Sequence, residues 1–200
     1  IINTRPETNQ SILLRPYESC PEFNKNEELA KDKNSEYSKF LESQIFKKMM
    51  EEVSIRLGYK YTLNSKQIDT MFDMCRYDQA WYLQEESPWC SAFTPEHINI
   101  LEYLEDLKYY YKSGYGSDLN SNIMCAAVKD MVKTMQQEDY PKVVAYFSHA
   151  SAIQLLLTAL GYAKDNEPLR ADNYQQMKWR KFRTSVLSPL AGNLAVVKYE

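Results

Sequence analysis

The sequence predicts an α/β fold: a helical block over residues 38–140, then an α/β block over residues 141–200, both behind an irregular segment and surface loop at 1–37. Three observations lead there. Apolar residues recur at three- and four-residue intervals through the first block, the period of a helix with one buried face. After Pro141 the pattern changes to Val143–Phe147, a continuous run of β-branched and aromatic residues, as in a strand buried on both faces. That run passes through Ser148-His149 straight into Ala150–Leu160, so the order strand, short turn, helix forms one α/β unit.

The elements follow in chain order. Residues 1–12 carry Asn3, Pro6 and Asn9 and no helical period, and read as irregular. Leu13–Phe23 is apolar but interrupted by Pro16 and Pro21, and Asn24–Glu36 is charged and polar, as expected of a surface loop. Leu41, Ile45, Met49 and Val53, flanked by Phe46, Met50 and Leu57, predict a helix that Gly58 ends. Ile68, Met71, Phe72 and Cys75 predict a second helix, capped by Asn64 or Ser65 and broken off before Pro88.

Thr94-Pro95-Glu96 supplies a cap, a first-turn proline and a first-turn acid for a third helix through Ile100, Leu101, Leu104, Leu107 and Tyr111. Gly114-Tyr115-Gly116 marks a turn, and a fourth helix follows through Met124, Ala127, Val128, Met131 and Met135. These methionine and aromatic stripes read as core packing between helices. Gly161 ends the helix after His149, and two further strands are expected at Trp179–Leu187 and Asn193–Tyr199.

Three strands and one clear helix cannot cover a strand that is apolar on both faces; a sheet edge and an apolar face would stand open. The expectation is that part of this sheet lies in an N-terminal segment outside these 200 residues.

Composition bounds the function. The 200 residues are 44% hydrophobic and 26% charged with a net charge of −3, so no long-range positive field draws the chain to nucleic acid or an anionic membrane. A local basic pocket for a phosphorylated small molecule needs only a few Lys or Arg. No apolar run reaches membrane-spanning length. The chain starts without Met or a charged-then-apolar leader, as a mature secreted protein or a fragment would.

The cysteines, Cys20, Cys75, Cys90 and Cys125, form no C-x-x-C pair, and only His97 and His149 could assist, so neither a zinc site nor any cofactor is expected. Two disulfides would allow three connectivities, and buried thiols are the other option; Cys75 with Cys90 is favoured by proximity in sequence alone. Asn9-Gln10-Ser11 is one glycosylation sequon.

His149 stands where ligands of open α/β sheets bind, at a strand end and a helix start. The helix N-terminus adds free N–H groups and a positive dipole end, both suited to phosphate. The plain structural alternative is a histidine that merely fills space at a helix start.

Ala145-Tyr146-Phe147-Ser148-His149-Ala150 resembles the C-terminal signature of the multiple inositol polyphosphate phosphatases, histidine acid phosphatases of phytase type in the histidine phosphatase clan, in which a strand ends in His-Ala-Glu. The similarity continues through Leu155-Leu156-Leu157, Leu160-Gly161-Tyr162, Glu167-Pro168-Leu169 and Lys181-Phe182-Arg183 to Asn193-Leu194. Upstream it includes Leu14-Arg15, Cys20-Pro21, Arg56-Leu57-Gly58, Ser87-Pro88-Trp89-Cys90, Leu101-Glu102-Tyr103-Leu104 and Gly114-Tyr115-Gly116. Each piece is weak; their common order is specific.

The resemblance implies a histidine-phosphatase-like α/β core, here its C-terminal strands only, with a helical cap block. It implies a secreted or endoplasmic reticulum lumenal phosphomonoesterase. There an Arg-His-Gly histidine becomes a phosphohistidine, arginines hold the phosphate, the C-terminal histidine (His149) contacts its oxygens, and an adjacent acid protonates the leaving alkoxide.

Two departures stand out. No Arg-His-Gly occurs in the 200 residues, so the nucleophile and its arginines are expected upstream of Ile1, in the same precursor or a second chain. Ser151 replaces the expected acid, and a hydroxyl is far weaker as a proton donor than a carboxyl of pKa about 4.3. The alternative reading is therefore a catalytically inactive phosphatase-like protein that binds a small molecule or partner, or serves a structural or storage role.

Overall fold

The computed structural model describes residues 13–30, 32–137 and 143–199. Its organising element is the long helix Pro95–Ser113, here α5, against which five other helices pack. In chain order these are α1 (Pro21–Ala30), α2 (Glu36–Leu41), α3 (Gln44–Arg56), α4 (Ser65–Trp81), α5, α6 (Asp118–Asn122), α7 (Cys125–Gln136), α8 (Ala150–Ala159) and α9 (Thr184–Leu187).

The helix starts are set by side chains that satisfy otherwise orphaned N–H groups. Asn64 and Gln67 form a reciprocal capping box at α4, and Thr94 and His97 do the same at α5. His97 Nε2 lies 2.9 Å from Glu52 of α3, which draws the Glu52 carboxyl below its ordinary range. Gly58 and Gly161, at φ +79° and +73°, follow α3 and α8 in the left-handed conformation that ends a helix.

Two elements differ from the sequence expectation in this half. The single helix expected through Leu41–Leu57 is two, because the Ser43 hydroxyl accepts from Phe46 N–H and starts a new helix there. The expected surface loop is largely α1, whose Phe23 is 2% exposed: Pro21 opens the helix, and Phe23 and Ala30 anchor an otherwise polar segment.

The main core joins α2–α5 to the segment 169–182. Phe40, Tyr103 and Tyr174 pack pairwise edge-to-face or tilted, Phe40–Tyr103 and Tyr103–Tyr174 each at 5.1 Å. A buried ionic network crosses it. Arg180 Nε donates to Asp106 at 2.6 Å, another guanidinium N–H reaches Glu102 at 3.0 Å, and the guanidinium stacks 4.9 Å from the centre of the Tyr103 ring. Burial pushes the Asp106 carboxyl up to about 6, against the pull of Arg180 and Thr184. Burial also acts upward on Glu102, but Ser185, Arg183 and Arg180 outweigh it and hold that carboxyl low.

The strand expected at Trp179–Leu187 is not one. Both Asp165 carboxylate oxygens accept from the N–H groups of Lys181 and Phe182, and Asp106 accepts from Thr184 N–H at the start of α9. Side chains take the donors that a strand would offer to a neighbour.

Val143–Phe147 and Asn193–Tyr199 carry neither helix nor strand pairing among the described residues. Val143 and Phe147 are each 79% exposed and Val197 is 62% exposed, so the apolar character read from the sequence has no covering element among the described residues.

Candidate functional site

A second, smaller core of Phe23, Met124, Ala152 and Leu155 lies where α1, α7 and α8 meet. It fixes the base of α8, and thereby the position of His149, which occupies the N-cap of that helix with φ −114° and ψ 166°. The imidazole is exposed and makes no capping hydrogen bond to the helix start. A ten-residue helix thus presents its positive end beside an accessible histidine.

Ser148, next to His149, donates from Oγ to the Leu14 carbonyl at 2.6 Å, bridging 134 residues of sequence. The Tyr17 hydroxyl also bonds to Ser148, which partly offsets the upward push of burial on that phenol. Tyr17 in turn packs against Phe23 at 5.5 Å between ring centres. The segment Leu14–Tyr17 is therefore tied to the start of α8. Arg15 lies inside it, half exposed, and pairs at 3.0 Å with its own-turn neighbour Glu18.

An exposed imidazole, a helix N-terminus that the imidazole does not cap and a half-exposed guanidinium on a tethered neighbouring segment together suit a tetrahedral oxyanion such as phosphate. Arg15, on the tethered segment, is a residue that sequence reasoning did not single out. The Leu14-Arg15 pair was visible in the resemblance, and the bond from Ser148 to the Leu14 carbonyl ties that segment to the residue beside His149.

Ser151 is half-buried in the first turn of α8. Cys75 and Cys90 form a disulfide joining α4 to the turn at Pro88–Ala92. Cys20 is a half-buried free thiol against the smaller core, and Cys125 is a free, exposed thiol at the start of α7. Asn9 lies outside the described residues. Among the described residues, no three His, Cys, Asp or Glu side chains come together as a metal site, and no helix is long and apolar enough to cross a membrane.

Comparison with known proteins gives the family. The family described as "Histidine phosphatase superfamily (branch 2)" matches residues 1–200. "Multiple inositol polyphosphate phosphatase 1" of Drosophila melanogaster is 47% identical over 191 residues, which is 96% of this chain and 40% of that protein. The protein of the same name from Homo sapiens is 33% identical over 206 residues, 97% of this chain and 42% of its own length. An acid phosphatase of Saccharomyces cerevisiae is 26% identical over 200 residues, 97% of this chain and 40% of its own length. No solved structure matches. The chain thus spans about 40% of the length of these relatives, and it belongs to branch 2 of the histidine phosphatase superfamily.

Proposed function

We propose that this chain supplies the phosphate-contacting C-terminal part of a secreted or lumenal inositol polyphosphate phosphatase. The observation that carries the reading is the exposed His149 at the N-terminus of α8, with the Arg15 segment bonded to its neighbour Ser148. His149 and the first-turn amides of α8 would donate hydrogen bonds to the phosphate oxygens, and Arg15 would add charge from the side.

Hydrolysis through phosphohistidine needs a nucleophilic histidine in an Arg-His-Gly motif, which these 200 residues do not contain. The proposed activity is therefore that of the whole protein, and this chain alone is expected to be silent. The exposed runs Val143–Phe147 and Asn193–Tyr199 fit the same reading. In the α/β core proposed here, they are strands that pair with segments outside the chain. The disulfide Cys75–Cys90 suits an oxidising compartment.

The test is phosphate release from inositol hexakisphosphate by the complete protein, with and without His149→Ala. A loss of at least about 10²-fold supports the reading. Wild-type protein that releases nothing, or a variant as fast as wild type, overturns it.

Ser151 favours a second reading, an inactive relative that binds a phosphorylated small molecule or a partner. A misplaced or absent general acid costs roughly 10²–10⁴ in rate, so Ser151→Glu in the complete protein is expected to raise turnover if the acid is what is lacking. If turnover is already substantial and Ser151→Glu leaves it unchanged, the second reading is abandoned.

A further inference from the structure

We propose that Gln154 is a positioning residue for His149, acting through a buried polar clamp that fixes the register of α8 on α5. Gln154 lies in the middle of a leucine-rich helix and is 2% exposed, a place where an apolar side chain would cost less. It is retained there with its amide satisfied at both ends. Its Oε1 accepts from the Ser113 hydroxyl, and its Nε2 donates to Ser188 Oγ at 2.7 Å.

Thr158 sits one helical turn later on the same face of α8, and its hydroxyl lies 3.2 Å from the Ser113 carbonyl and 2.8 Å from the Gln154 carbonyl. Ser113, the last residue of α5 and fully buried, is thus gripped between two residues of α8. Ser188, the residue after α9, closes the other side and reaches the Thr184 carbonyl at 3.3 Å.

The apolar contacts of α8 do not set its axial position with the same accuracy. Burial of Leu155 and Leu157 is non-directional, so a leucine face tolerates a small slide or rotation. Hydrogen bonds to Ser113 and Ser188 do not, because they weaken steeply with angle. About two turns before Ser113, Asp106 of α5 is held by Arg180, which anchors this stretch of α5 in the main core. His149 lies five residues before Gln154, about 7.5 Å along the axis at 1.5 Å per residue, so a slip of α8 moves the imidazole by the same amount. A displacement of that kind near 1 Å is enough to spoil a reacting geometry.

The inference rests on the phosphatase reading for its kinetic arm only. Gln154→Met keeps the volume and removes both bonds; Ser188→Ala removes one and leaves Ser113 in place. In the complete protein, each variant is expected to lower kcat for inositol hexakisphosphate by about ten- to a hundredfold, with KM within about twofold of wild type. The second readout is NMR of ring-labelled histidine, the His149 signal being assigned by its loss in His149→Ala. That signal, and its response to inorganic phosphate, should move in both variants while the His97 signal stays fixed.

Thr94→Ala, which loosens α5 at its opposite end, serves as the stability control and should leave kcat and the His149 signal unchanged. If the folded variants keep wild-type kcat and an unmoved His149 signal, or lose activity only in proportion to unfolding, the proposal is overturned. Should Gln154→Met fail to fold, Ser188→Ala decides. If wild-type protein releases no phosphate, the phosphatase reading falls, and the histidine signals alone judge the clamp.

Discussion

The Ser148 hydroxyl donates to the carbonyl of Leu14, and this one bond at 2.6 Å joins the first described residues to the start of α8. It is partly solvent-exposed, and a neutral hydrogen bond contributes a net ~1 kcal/mol. Ser148→Ala is therefore expected to change global stability little while freeing the segment 13–20 locally. Hydrogen exchange should show faster amide exchange there and unchanged protection in α5. Equal exchange in both proteins would mean that the tether is held by Tyr17 packing instead.

Glu102 receives bonds from Arg180, Arg183 and Ser185, and its folded-state pKa lies below the unfolded value near 4.3. The sign follows directly: its contribution is complete above that value and is lost as pH falls through the lower, folded one. Asp106 has the opposite sign. With its folded pKa near 6, it favours the folded state progressively as pH falls from about 6 towards 4. The difference between wild type and Glu102→Gln isolates the first effect. Urea unfolding should give a destabilisation of about 1.5–3 kcal/mol, constant from pH 8 to 5 and shrinking below pH 4.

Asp106→Asn removes the charge facing Arg180, whose side chain is 3% exposed. Asn lifts the burial penalty on the carboxylate while weakening the Arg180 bond, and Glu102 remains, so the net cost at pH 7 is expected to be about 1–3 kcal/mol, measured by the same unfolding experiment. A change below about 1 kcal/mol would show that Glu102 alone satisfies Arg180.

The Cys75–Cys90 bridge closes a loop of sequence separation 15. Chain entropy alone assigns it roughly 3 kcal/mol, so Cys75→Ala with Cys90→Ala is expected to lower Tm by about 6–12 °C for a protein of this size. Calorimetry under non-reducing conditions checks this, and wild type with added reductant should move towards the double variant.

At the start of α5, Thr94→Ala removes the acceptor for His97 N–H and half of a reciprocal capping box. The expected loss is about 1 kcal/mol of stability. Circular dichroism during urea unfolding would register it as a lower midpoint with an unchanged slope.

Much of the helical half is legible in the sequence because its signals are local. Asn64, Thr94, Gly58 and Gly161 act within one turn of themselves, and each stands where its residue type predicts a helix end. The splitting of the first helix at Ser43 and the anchoring of α1 by Phe23 were harder to read, since one capping hydroxyl and one buried ring leave little periodicity. Trp179–Leu187 misleads for a different reason: Asp165 and Asp106, distant in sequence, capture the backbone donors that make a strand.

The sequence by itself determined the helix ends marked by Asn64, Thr94, Gly58 and Gly161, the family membership and the place of His149 at a helix start. Only the tertiary structure decided that the segment Leu14–Tyr17 is bonded beside His149 and that Gln154 is clamped between Ser113 and Ser188. The physical reason is that capping and amphipathic periodicity are properties of neighbouring residues, whereas the bonds from Ser148 to Leu14 and from Gln154 to Ser188 join residues 134 and 34 positions apart, whose meeting depends on how the helices pack.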